Sequence, residues 1–320
     1  MPAPGRIEVS DFPLPEIADG QVLVQMQYAS ICGSDVHIVH DGFHNPDSIG
    51  IPGYPGHEGV GVVVESRSEL FAPGTPVLTV PHGHEGGCFA EYQAVAEQQV
   101  IPLPPDGDPL RLLMAQQLGT AVFAMKKFWQ PDAETAAVVG VGSAGLFFVQ
   151  LLLAKGCTQV VVSDVNETRL RAAQALGATG VLAPDASLAE EVLRATGGKG
   201  ADLVIETSGL DIGRAEAVAA VRTHGYVGCF GYAERTGLSP FPVHMAFRKA
   251  ATVAWVRDTQ SEPGLQSFRE GLRLIRSGEI DIDHHLGHVI PLEDTASGVE
   301  TAHSGLDVVK VIISMPSSAG

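Results

Sequence analysis

Residues Ala136 to Asp164, AAVVGVGSAGLFFVQLLLAKGCTQVVVSD, restrict the possible folds of this chain more than any other stretch. An apolar run rich in valine meets three glycines, a long apolar run follows, and a second valine run ends on an acid. That order dictates strand, tight turn, buried helix and strand. Gly140, Gly142 and Gly145 have the G-x-G-x-x-G spacing. The first glycine makes the turn, the second lets backbone approach a pyrophosphate, and the third permits close helix-to-strand packing. The anion then rests on the helix N-terminus, where free N–H groups and the helix dipole favour negative charge. Ser143 and Ala144 lie inside this turn and join the cofactor-binding set. Asp164, 19 residues after Gly145, stands where a carboxylate hydrogen-bonds the ribose hydroxyls of an adenosine.

Glycine-rich turns are common, and 37 of the 320 residues are Gly, so the triplet alone is weak. Its position after an apolar strand and before a helix, with an acid closing the next strand, makes it a nucleotide site. A membrane span over Ala136 to Ala154 is the competing reading. Three glycines, a serine and a glutamine inside that run, and no flanking basic cluster, favour a strand-turn-helix of a buried parallel sheet.

A chain of 320 residues exceeds what one core usually organises, so two domains are expected. Net charge is −17, from 37 acidic and 20 basic residues, which disfavours nucleic acid and anionic membrane as partners. The opening MPAPGRIEVSDFPLPE has no basic segment followed by an apolar core, so a cytoplasmic location is expected. Cys32, Cys88, Cys157 and Cys229 are too scattered for a disulfide framework.

From Arg6 to about Leu103, short strand-like runs (Val22 to Gln27, Gly59 to Glu65, Pro76 to Val80) alternate with Gly and Pro, the texture of a β-rich unit. A helical period covers Leu110 to Phe128. Strands and helices then alternate, with strands at Ala137 to Val139, Val160 to Ser163, Gly180 to Leu182 and Leu203 to Glu206, and further ones at Tyr226 to Phe230 and Thr252 to Val256. A helix at Leu265 to Ser277 and a last apolar run, Val308 to Ser314, complete the chain. That final strand is expected to pair in the first domain.

Within the β-rich segment stand Cys32-Gly33-Ser34-Asp35-Val36-His37 and Gly56-His57-Glu58-Gly59. A thiolate, an imidazole and a carboxylate form a plausible zinc set, since zinc takes S, N and O ligands and a catalytic site keeps one position open. Taken singly, Cys32 is more often a small buried residue and His57 a satisfied core histidine. The Gly, Pro and Tyr around Ile51 to Gly61 put His57 and Glu58 on a turn before an apolar strand, as expected of an exposed metal edge.

With these two segments and the later glycine fingerprint in this order, the sequence resembles the zinc-containing medium-chain alcohol dehydrogenases, including their threonine and polyol branches. The resemblance covers nearly the whole chain. It implies an α/β protein: a Rossmann doubly wound parallel sheet plus a GroES-like β-rich catalytic domain. The expected division is a GroES-like catalytic domain over 1–112, a Rossmann NAD-binding domain over 113–260 and a C-terminal segment, 261–320, returning to the first. By resemblance, Cys32, His57 and Glu58 hold one catalytic Zn2+, Asp35 orients the site, and Ser34 and His37 pass the alcohol proton toward solvent. Asp164 selects NAD, and Arg169 lies beside the adenosine ribose. The implied activity is hydride transfer between NAD(H) and a secondary alcohol or polyol and its ketone, in a homo-oligomer, dimer or tetramer.

Three departures qualify this. The four-cysteine lobe of many relatives is replaced after Pro81 by His82-Gly-His84-Glu85-Gly-Gly-Cys88, so a structural zinc is not expected. His82 and His84 are better read as a solvated loop or substrate mouth than as a metal pair. The family's further ligand position falls near Gly119, which cannot ligate; either water completes the site or zinc is held less tightly. The chain also begins where relatives are completing their first hairpin, so an outer strand is expected to be missing. Lys310 reaches the cofactor phosphates by analogy, or snorkels to solvent. Two alternatives stay open: a zinc-free NADPH quinone or enone reductase of the same fold, and a non-catalytic nucleotide-binding derivative.

Overall fold

The computed structural model describes residues 1–82, 86–182, 186–305 and 308–316. His84 and Glu85 lie outside the described residues. The chain forms two compact units, one from Met1–Gly119 with Asp258–Gly320 and the other from Thr120–Arg257.

The first unit begins with β1 (Gln21–Ile31) and α1 (Gly33–His40), followed by β2 (Gly59–Ser66), β3 (Pro76–Thr79), β4 (Tyr92–Ala96) and β5 (Val100–Pro102). Burial alternates along β4, while β1 is buried on both faces at Val22–Val24, and Val22, Val24, Met26 and Val95 join a core shared with Val63 and Val77. Register shifts between Leu23 and Val24 and between Met26 and Tyr28 let β1 pair with β2 on one side while also meeting β4. The expected helix over Leu110 to Phe128 is two: α2 (Pro109–Leu112), opened by Asp108, whose side chain accepts from Leu110 N, and α3 (Ala115–Phe128), which carries the chain into the second unit.

The second unit runs β6 (Thr135–Val139), α4 (Ser143–Ala154), β7 (Gln159–Ser163), α5 (Glu167–Ala175), β8 (Gly180–Leu182), α6 (Leu188–Ala195), β9 (Ala201–Glu206), α7 (Asp211–Ala220), β10 (Val221–Cys229), α8 (Val243–Lys249) and β11 (Thr252–Trp255). All pairings are parallel, in the order β11-β10-β9-β6-β7-β8. Numbered one to six along the chain, that is 3-2-1-4-5-6, the dinucleotide-binding order, whose ligand crevice opens beyond the carboxyl ends of the first and fourth strands. Here those strands are β6 and β9. Buried on both faces, β6 and β7 are valine and alanine rather than alternating. The apolar run after Gly142 is a helix buried from Leu146 to Leu152 inside this unit, and among the described residues no helix is long and apolar enough to cross a membrane.

The chain then returns to the first unit through α9 (Gln266–Ser277), β12 (Val289–Pro291), α10 (Thr295–Ser304) and β13 (Val311–Ser314). β13 pairs antiparallel with β1, Tyr28 opposite Ser314 and Ile31 opposite Val311, in the sheet order β12-β13-β1-β2-β3-β5.

Candidate active site

The first cluster is built where β1 ends. Cys32 caps α1, and Asp35, three residues on, reaches back with Oδ2 to accept from the Cys32 backbone N–H at 2.8 Å. Its other oxygen, Oδ1, meets Nδ1 of His57 at 2.9 Å. One fully buried carboxylate thus opens a helix and orients an imidazole. Helix α1 was not legible in the pattern, because DVHIVH has β-branched residues where a strand would place them.

His57 and Glu58 directly precede β2, and Ser30 of β1 donates its backbone N–H to the Glu58 carbonyl at 3.1 Å. Both side chains are buried, against the expected exposed edge. Strand pairing draws that turn into the unit's interior, and only Cys32 is half-exposed. Ligand atoms of Cys32, His57 and Glu58 lie within 4.8 Å of one another, and this is the group of three metal-capable side chains among the described residues. Ser34 Oγ is 3.4 Å from His57 Nε2. His37 sits a turn later with Nδ1 2.6 Å from Asp41 Oδ2.

Lys310, just before β13, neither snorkels nor faces solvent. Its Nζ is 2.5 Å from Glu58 Oε2, with both side chains inside the unit. Ser30 Oγ donates to the same oxygen. Burial is the largest influence and works against both charges, but the pair's mutual attraction together with His57 and Ser30 holds Glu58 below the usual carboxylate range, and with Cys32 and Asp35 holds Lys310 above its usual value. Burial also opposes a charged His57, and the Asp35 carboxylate prevails, raising it well above an ordinary imidazole.

Gly119 does not stand at the ligand cluster. A Cβ there would lie 2.4 Å from the Phe268 ring and 2.7 Å from the Phe268 Cα, so this glycine lets α3 pack against α9. One turn earlier Gln116, fully buried, points its Nε2 at the His57 carbonyl at 3.4 Å. Of the two, Gln116 is the side chain that α3 brings beside His57. A buried glutamine three residues before the glycine was the available signal. His82 has its Nδ1 3.5 Å from Asp258 Oδ1, and His285 is fully buried while His284 is exposed.

In the second unit, Gly140 follows β6 with φ +82, and Gly142 caps α4 without a side chain. A Cβ on Gly145 would lie 2.2 Å from the Gly140 carbonyl oxygen. Ser143 and Ala144 form the first turn of α4. Asp164, just past β7, accepts from Val141 N at 2.7 Å and from Asn166 N at 2.8 Å. Arg169 on α5 brings a guanidinium nitrogen to 3.9 Å from the Cβ position of Gly142.

The donor set fits zinc: sulfur, imidazole nitrogen and carboxylate oxygen converge, and Glu58 Oε1 is buried without a hydrogen-bond partner while Oε2 is engaged.

The family described as zinc-binding dehydrogenase matches residues 140–276, and the alcohol dehydrogenase GroES-like domain matches residues 18–105. An L-threonine 3-dehydrogenase of Bacillus velezensis is 30% identical over 93% of this chain and 92% of its own length. A sorbitol dehydrogenase of Bacillus subtilis is 25% identical over 93% of this chain and 90% of its own. The fold is shared with a putative zinc-binding dehydrogenase of Sinorhizobium meliloti solved with NADP, at TM-score 0.84 and 24% identity over 98% of this chain and 97% of that one.

Proposed function

The chain belongs to the zinc-binding medium-chain alcohol dehydrogenases, and from that premise we propose that it transfers hydride between a secondary alcohol or polyol and NAD at a single zinc ion held by Cys32, His57 and Glu58. The observation that carries the proposal is the convergence of those three side chains with one carboxylate oxygen left unpartnered. When bound, the zinc supplies Lewis-acid polarisation of the hydroxyl, and the nicotinamide supplies the hydride acceptor.

The chain's own residues do the rest. Asp35, at Nδ1 of His57, would hold the ring proton there and leave Nε2 free to hold the metal. Lys310 and Ser30 occupy Glu58 Oε2 and leave Oε1 for coordination. Ser34 Oγ, beside His57 Nε2, would take the hydroxyl proton as it gives up its own, and His37, its ring set by Asp41, would release a proton to solvent at the far end of the relay. In the second unit the turn Gly140 to Gly145, with Ser143 and Ala144, cradles the pyrophosphate, while Asp164 and Arg169 flank the adenosine ribose. The names of the relatives, threonine 3-dehydrogenase and sorbitol dehydrogenase, put a secondary hydroxyl on a small polar carbon chain first in a substrate panel. Self-association is part of the same reading: β11 ends its sheet, and Trp255, Phe247 and Val243 are exposed beside it.

Elemental analysis with an alcohol and polyol panel tests the proposal. One zinc per chain, lost with activity in Cys32→Ala while the protein stays folded, is expected; two tightly held zincs, or turnover in metal-free protein, would refute it. His37→Gln should slow oxidation near neutral pH by about a hundredfold or more while NAD still binds; an unchanged rate would remove His37 from the proton path.

A further inference from the structure

The peptide between Gly140 and Val141 is gripped at both ends. Its N–H, on Val141, donates to Asp164 Oδ2 at 2.7 Å. Its carbonyl, on Gly140, accepts from the hydroxyl of Thr207 at 2.6 Å. The same carbonyl oxygen stands 2.2 Å from where a Cβ on Gly145 would project, so it is closed between the α4 glycine and the threonine.

Thr207 reaches this place by strand geometry. It follows β9 immediately, Val139 lies opposite Glu206 in the β6–β9 pairing, and Thr207 N donates to the Val139 carbonyl at 2.9 Å. The two chain ends therefore leave the sheet side by side at its ligand crevice. The segment after Thr207 is itself fixed. Glu206, fully buried, accepts from Ser208 Oγ at 2.5 Å and from Gly209 N at 2.8 Å, and Ser208 N lies 3.1 Å from the Cβ position of Gly140. Gly140 has φ +82, the glycine-favouring region, so the turn has conformational freedom that some contact must remove.

We propose that Thr207 is a positioning residue for the dinucleotide: by holding the Gly140 carbonyl it fixes the plane of the Gly140–Val141 peptide, and through the Val141 N–H it fixes the carboxylate that meets the adenosine ribose. The inference rests on the nicotinamide reading of the second unit. Thr207 touches no reacting atom in it. Loss of the hydroxyl leaves the peptide held at its N–H end alone, which loosens the pyrophosphate turn and weakens the Val141 hold on Asp164 Oδ2, while Asn166 N keeps Oδ1. Cofactor affinity and the preference between NAD and NADP are therefore coupled through one hydroxyl.

The test uses the intact protein with Thr207→Val, which keeps shape and removes the hydroxyl, and Thr207→Ser, which restores it. Dissociation constants for NADH and NADPH are read by fluorescence titration, with KM, kcat and melting temperature alongside. One neutral hydrogen bond corresponds to about a two- to tenfold change in binding. Thr207→Val should weaken NADH by that factor, change NADPH less, and raise the cofactor KM more than it lowers kcat. Thr207→Ser should lie within about twofold of the wild type. Wild-type affinities in Thr207→Val, equal losses in both variants, or a parallel loss for NADH and NADPH would overturn the proposal. Should Thr207→Val not fold, Thr207→Ala is read against the same outcomes. A wild type that binds neither NADH nor NADPH would overturn the nicotinamide reading and the proposal with it, whereas a wild type that binds NADH and a variant that matches it would overturn the proposal alone.

Discussion

Two carboxylates organise the first unit's cluster, and each divides its oxygens between two tasks. Asp35 gives one oxygen to the α1 cap and the other to His57; Glu58 gives one to Lys310 and Ser30 and keeps the other open. The Glu58–Lys310 pair has no solvent to fall back on, so removing one partner strands a charge in the interior. In metal-free protein Lys310→Met should therefore lower stability to denaturant by about 3–5 kcal/mol, and adding Glu58→Gln should recover part of the loss. A Lys310→Met protein as stable as the wild type would mean that water reaches Glu58. Cys32, His57 and Glu58 could be singled out from the sequence because they lie in two short runs whose residue types suit a zinc ion, and Asp35 only through the family resemblance. The partners of Gln116 and Lys310 could not be read, since they are 59 and 252 (310 − 58) residues away and only strand and helix packing brings them together.

At the scale of elements, the same contrast separates the two units. The β/α alternation of the second was legible from Ala137 to Val256, α8 apart, because its buried parallel strands carry short apolar runs separated by helical periods. In the first, α1 was hidden by β-branched residues, and the break between α2 and α3 by an unbroken apolar period. Gly119 was expected near the family's further ligand position, and in the structure it serves a helix contact. A Cβ on Gly271 of α9 would lie 3.0 Å from the Ala115 carbonyl and 3.1 Å from Gly119 N, matching from the other side the close approach of Phe268 to Gly119. Gly119→Ala forces that backbone contact apart, and overpacking of this kind costs about 1–3 kcal/mol. Thermal unfolding should show a clear drop in melting temperature. An unchanged or raised value would show that α9 can shift without penalty and that Gly119 is not held glycine by packing.

For the molecule as a whole, charge and edges set the remaining expectations. The open edge at β11 carries Trp255, 54% exposed, with Phe247 at 79% on the adjacent helix. Trp255→Glu should convert an oligomer to a smaller species in sedimentation; if the wild type is already monomeric, the self-association reading is wrong. Cofactor choice draws on the whole charge distribution. The chain carries −17, and on the proposed reading Asp164 would add a carboxylate where NADP presents a 2′-phosphate and NAD a hydroxyl. Glu167 adds a second acid nearby, while Arg169, whose guanidinium approaches Gly142, offsets part of the field. One unfavourable contact of about 1.4 kcal/mol corresponds to a tenfold difference, so NAD should exceed NADP by at least about ten in kcat/KM. Two contributions can be separated by salt. The diffuse field of the acidic surface is screened beyond roughly 10 Å at 0.1 M ionic strength, whereas the Asp164 contact is not. Added salt should therefore narrow the preference only partly, and Asp164→Ser should remove most of what survives. Equal use of both cofactors by the wild type, or a preference for NADP, would mean that Asp164 does not face the ribose, whatever the fold around it.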